Sequence, residues 1–153
     1  MIRTGLALAA GLAIAAMAPP AAACPYPALK TGKAVFTTAR GRFQYRVEIA
    51  ASPDEQACGL MFRKAMRRDS GMTFPFVPAR VASFWMENTT LPLDLIFVAP
   101  GGRVLSIGHG KPFSRDLINS GGVAVGVVEL NAGEAQRIGL KPGDRVSGDG
   151  LKG

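Results

Sequence analysis

Side-chain alternation gives the first element of this chain. Phe43, Tyr45, Val47 and Ile49 are separated by Gln44, Arg46 and Glu48, a period of two that puts the apolar set on one face of a half-buried strand. The polar run after it breaks that period. Ser52, Pro53 and Glu55 supply an N-cap, a proline at the first helical position and a glutamate placed to close a capping box. A short helix is predicted over 53–58, stopped by Gly59.

Downstream, apolar stretches at 72–77 and 81–86 are interrupted or preceded by proline, which favours strand edges or bulges. Residues 93–98 are almost continuously apolar and predict a buried strand, followed by a turn at Pro100, Gly101 and Gly102 and a hairpin partner over 103–107. The stretch 108–122 is rich in Gly, Ser and Asn and reads as loop. A second buried strand is expected over 123–130. Asn131 is placed to cap a helix over 132–138 that stops at Gly139, and 145–147 closes the domain. Many short strands with two brief helices predict a mainly β fold, a small antiparallel barrel-like or sandwich domain.

The ends read differently. Residues 1–23 have the regions of a secretory signal: basic Arg3, an apolar run over 5–17, and Ala21, Ala22 and Ala23 before Cys24, with the run too short to span a bilayer. Residues 24–39 are expected to be an extended lead-in, 40–147 a single β-rich domain, and the Gly-rich 148–153 a flexible tail. No later stretch is apolar enough for a transmembrane segment. The expected location is the periplasm or cell envelope.

Export changes how the charge and the cysteines are read. The chain has 153 residues and a formal net charge of +7. In an exported protein that balance points away from nucleic acid and toward anionic envelope components, or to solubility alone. Cys24 and Cys58 would meet an oxidising compartment. Three fates are open: lipidation of Cys24, since Ala22, Ala23 and Cys24 end like a lipobox; a Cys24–Cys58 disulfide after ordinary cleavage; or two free thiols. Ordinary cleavage is favoured over a lipid tether, because Ala21 stands where a lipobox prefers a larger aliphatic side chain.

Five segments carry a family resemblance. They are Gly59 to Arg63, Gly71 to Phe74, Phe84 to Thr89 running on to Asp94, Val128 to Gly133, and Gly139 to Asp144. Together they resemble the uncharacterised domain-of-unknown-function family 192 over residues 40–147. The resemblance implies a compact β-barrel-like domain, often exported, and no assigned activity. Two positions depart from the family pattern: Glu87, where lysine is commoner, and Cys58.

The candidate chemistry centres on residues 85–94. Trp85 offers an apolar platform, and Asn88, Thr89, Asp94 and Arg63 are candidate polar anchors for a ligand. Asp94 shares a strand face with Ile96 and Val98, which is costly for a carboxylate unless it is hydrogen-bonded. A structural alternative has Asp94 accepting N–H groups of the 88–92 turn while Trp85 covers the barrel mouth. His109 is the only histidine, which excludes a multi-histidine metal site and leaves one base. With Asp94 or Asp116 and some serine it is a candidate member of a Ser-His-Asp triad, although no nucleophile-elbow motif accompanies it. No cofactor motif, metal-ligand spacing or phosphate loop is present. The expected function is a non-catalytic envelope-binding or accessory module, its partner a small molecule, an envelope polymer or an envelope protein. The alternatives are a hydrolase using His109 and a carboxylate, or a structural or assembly protein.

Overall fold

A computed structural model describes residue 24 and residues 28–151. The segment read as a secretory signal lies outside the described residues, as do residues 152 and 153 of the expected tail. In chain order the elements are β1 (Lys30–Thr38), β2 (Gly41–Ile49), α1 (Pro53–Cys58), β3 (Ser70–Arg80), β4 (Ser83–Phe84), β5 (Leu93–Ala99), β6 (Arg103–Gly110), β7 (Ile118–Asn119), β8 (Ala124–Asn131), α2 (Glu134–Ile138) and β9 (Arg145–Gly148). The mainly β fold expected from the pattern is observed, as a closed barrel in the order β1-β2-β3-β8-β5-β6-β9, with β4 and β7 forming a separate pair.

The barrel is not wholly antiparallel. β2 and β3 run parallel, with Val47 opposite Gly71 and Ile49 opposite Thr73. A parallel pair needs a long crossover, and residues 50–69, carrying α1, provide it. The helix has the capping box read from its sequence: Ser52 Oγ accepts from Glu55 N, while Glu55 accepts from Ser52 N.

Two apolar cores lie on opposite sides of the β3-β8-β5 wall. Inside the barrel, Phe36, Tyr45, Val47, Ile96, Val128, Leu130 and Ile138 pack together. On the outer face, Met72, Phe74, Phe76, Leu93, Leu95, Phe97 and Val127 pack under Leu60, Ala82, Met86 and Leu91 from the covering segments. β5 and β8 are therefore buried on both faces, which is why their sequences run apolar without alternation.

Three expectations about extent are corrected. The 24–39 lead-in contains β1, a full barrel strand paired with both β2 and β9. The expected tail is tied down through residue 151: Asp149 N donates to Lys33 O, Asp149 Oδ2 accepts from Lys33 N, each at 2.9 Å, and Leu151 packs on the inner core. The loop expected over 108–122 includes the end of β6 and the short β7.

Helix α2 also differs. It begins at Glu134 with Gly133 at the N-cap in the left-handed region (φ 87°). Asn131 does not cap it; its side-chain amide donates to the carbonyls of Met66 and Arg67. The capping acceptor comes from β5, through Asp94.

Candidate functional site

The outer wall of β3-β8-β5 is roofed incompletely. α1 with residues 59–61 stands on one side and residues 80–89 on the other, and between them opens a cavity of about 500 Å³. Phe74 and Leu93 line it from the wall, Leu60 and Met61 from the first cover, Phe84, Trp85, Met86 and Thr89 from the second. The roof is anchored to the wall where Gln56 Nε2 donates to Pro75 O at 2.7 Å.

At the cavity wall lies Glu129, towards the C-terminal end of β8 and 5% exposed. Its Cα neighbours across the sheet are Met72 of β3 and Leu95 of β5. Among the described residues no hydrogen bond or ion pair reaches its carboxyl, and burial pushes it up to about 8. A carboxyl left this way is rare in protein interiors. Sequence reasoning missed it, although the signal was present: one acid inside an otherwise apolar 123–130 run.

The residues predicted to form one site divide among three places. Trp85 and Thr89 line the cavity, with Trp85 48% exposed at its rim. Trp85 therefore covers the outer cavity and not the barrel mouth. Arg63 points elsewhere, ion-paired with Glu48, in a separate cleft with Thr31 and Arg46. Asn88 acts through its backbone: it is held at φ 56°, and its carbonyl accepts from Phe62 N at 2.8 Å. Next to it, Thr89 O accepts from Phe113 N at 3.1 Å. Phe62 and Phe113 both have φ 61°, so three non-glycine residues in the left-handed region surround this turn. Such backbone strain persists where surrounding contacts over-determine it. Glu87, the departure noted above, is ion-paired with Arg115.

Asp94 and His109 form the third group. They are cross-strand neighbours on β5 and β6, and His109 Nδ1 donates to Asp94 Oδ1 at 2.9 Å. The second oxygen, Oδ2, accepts from Ala135 N at 2.9 Å. Asp94 thus binds the start of α2, and the 88–92 turn is held without it. Its carboxylate is buried while the imidazole is largely exposed, which orients His109 with Nε2 toward solvent. Among the described residues no serine, threonine or cysteine hydroxyl or thiol is bonded to that imidazole.

Across the barrel a second buried acid is fully satisfied. Glu134 accepts from Arg137, from Tyr45 Oη at 2.7 Å and from Arg68 at 3.0 Å. These partners, Arg137 foremost, hold its carboxyl down to about 2 despite burial. Both residues are 5% exposed, but desolvation alone acts on the carboxyl of Glu129 while charged and hydroxyl partners dominate at Glu134.

Cys24 and Cys58 are joined as a disulfide with a Cα–Cα distance of 5.7 Å. Cys58 ends α1 and lines the cavity, so the bond ties the start of the described chain to the cavity roof. Among the described residues no helix is long and apolar enough to cross a membrane. None of them forms a group of three or more His, Cys, Asp or Glu side chains that could hold a metal.

Comparison with known proteins agrees on family. No curated protein matches the chain. A solved structure from Sinorhizobium meliloti 1021, of a protein proposed to be a transcription regulator, is 38% identical and superposes with a TM-score of 0.78, covering 82% of this chain and 99% of that one. A protein of unknown function from Novosphingobium aromaticivorans DSM 12444 is 40% identical with a TM-score of 0.77, covering 80% of this chain and 89% of that one. With the family pattern itself matched over residues 35–148, the chain belongs to domain-of-unknown-function family 192, described as an uncharacterized ACR.

Proposed function

We propose that this protein is an exported, non-catalytic module that binds a small molecule in the outer cavity beneath Trp85. The observation that carries the reading is the cavity itself: a concave space of about 500 Å³ that combines apolar and aromatic side chains with the buried polar residues Glu129 and Thr89, which is the usual construction of a small-molecule site. Trp85 and Thr89, expected as ligand contacts from the sequence, belong to it. Arg63, Asn88 and Asp94 support the fold around it. Export is supported by the signal-like residues 1–23 and by a Cys24–Cys58 disulfide, a bond that persists in oxidising compartments. A sulfur engaged in that bond is not available for a lipid thioether, so the reading is of a protein without a tether at Cys24.

Trp85 is the only tryptophan, so its fluorescence reports on the cavity directly. A saturable change in its emission with short apolar probes is expected. Ala57→Phe, at an exposed helix position on the cavity edge, should abolish the change without unfolding the protein. Emission that ignores every probe, or survives that block, removes the reading. Cell fractionation tests export: full-length, unprocessed protein confined to the cytoplasm would overturn it.

A second reading, hydrolysis, has one observation in its favour, the Asp94–His109 pair with an exposed Nε2. Activity on ester or amide substrates should then vanish in His109→Ala, and activity that persists rules this pair out as its source.

A further inference from the structure

Glu129 gives the cavity a chemical preference. Its neighbours on the wall, Met72 and Leu95, are fully buried apolar residues, and among the described residues no cation is paired with the carboxyl. Arg80 is the only other charged residue among the described residues that line the cavity. It lies at the exposed edge, its guanidinium 4.3 Å above the Phe76 ring and bonded to Gln56 Oε1 at 3.3 Å, where solvent screens it. A buried carboxyl without a cation is stable when protonated, or when a partner arrives from outside.

The rest of the lining indicates which partner. Phe74, Phe84 and Trp85 present aromatic surface, Met61 and Met86 present thioethers, and Thr89 adds a hydroxyl. Aromatic faces attract organic cations, and thioethers adapt to irregular apolar bodies. A hydrated metal ion would need several oxygen ligands, and Glu129 is the only carboxylate residue among the described residues of the lining.

We propose that the cavity takes a small organic amine, its ammonium group paired with the Glu129 carboxylate and its apolar body lying along Phe84 and Trp85; this rests on the binding reading above. Binding requires an ionised acid and a protonated amine. With Glu129 pushed up to about 8 and an alkylamine protonated to about 10, pairing below pH 8 releases the carboxyl proton to the medium. Affinity therefore rises by about tenfold per pH unit between pH 6 and 8.

The test is calorimetric titration of the disulfide-bonded protein that begins at Cys24 with hexylamine, 1-hexanol and hexanoate, which share a tail and differ in head charge, in two buffers of different ionisation enthalpy. Hexylamine is expected to bind at least about tenfold more tightly than hexanol at pH 8, with proton release at pH 7. Glu129→Gln should keep hexanol binding and lose the preference. Equal or tighter binding of hexanol or hexanoate overturns the amine assignment while leaving the cavity reading intact. Failure of all three to bind overturns the cavity reading. The buffer comparison uses the wild-type chain alone, so hexylamine binding without proton release at pH 7 also overturns the pairing, whether or not the variant folds.

Discussion

The carboxylate of Asp94 accepts the backbone N–H of Ala135 at 2.9 Å, across 41 residues of sequence. A strand residue thus does the work of a helix cap for α2, whose own N-cap position is Gly133. The same carboxylate orients His109 with its other oxygen.

Loss of that buried acceptor should destabilise the fold. Asp94→Ala is expected to lower unfolding free energy by about 1 to 3 kcal/mol, with Asp94→Asn intermediate, because the amide oxygen still accepts one N–H. His109→Ala removes a largely exposed side chain and should change little. Urea unfolding of the three variants checks the order. An Asp94→Ala protein as stable as wild type would show that the cap contributes nothing.

Glu134 predicts the acid side of the pH profile. Its carboxyl is held down to about 2 by Arg137, Tyr45 and Arg68, below the ordinary value of 4.5. A depressed carboxyl contributes stability that is present above pH 4.5 and lost as pH falls toward 2. Glu134→Gln should therefore cost about 2 kcal/mol at pH 7 and progressively less toward pH 2. Thermal unfolding of both proteins from pH 7 to pH 2 measures it, and a constant gap across that range would contradict the assigned network.

How much of this could be read in advance depends on the range of the interactions. α1 was legible because its capping box is local: Ser52 and Glu55 lie three residues apart. β5 and β8 were legible because burial on both faces leaves continuous apolar runs. β1 was not, since its first half is largely exposed and Ala34, Val35 and Phe36 are all buried, leaving no alternation to follow. The parallel β2–β3 register leaves no local mark either. The site followed the same rule. Trp85 and Thr89 fall at the cavity through their turn, whereas Arg63 and Asp94 found partners elsewhere in the chain, Glu48 and Ala135. Glu129 was masked by the apolar run that buries it.

The disulfide offers a third prediction. It links Cys24 and Cys58 across a sequence separation of 34, for which loop-closure entropy gives a stabilisation of up to about 3 to 4 kcal/mol. Replacing both cysteines by serine should lower Tm and shift Trp85 emission, because Cys58 and Trp85 line the same cavity. Thiol counting on the folded, oxidised protein should find neither Cys24 nor Cys58 free. Two reactive thiols with unchanged Tm after replacement would refute the pairing.

Glu129 sets the alkaline side of the profile, with the opposite sign to Glu134. Burial raises its carboxyl from 4.5 to about 8, so the folded chain binds a proton that the unfolded chain releases. A raised acid contributes stability that is fully present below pH 4.5 and lost as pH rises through 8, with a span on the order of 5 kcal/mol. Glu129→Gln keeps the shape of the neutral acid and cannot ionise. Its stability should match wild type near pH 5 and exceed it increasingly toward pH 8. Urea unfolding at unit steps from pH 5 to 9 reads the difference directly. Hexylamine at pH 8 should raise the Tm of wild type more than that of Glu129→Gln, in which only the apolar tail still binds, because only the ionised carboxylate has a charge to pair. Two profiles that stay parallel over that range would mean that Glu129 titrates alike in the folded and unfolded chains.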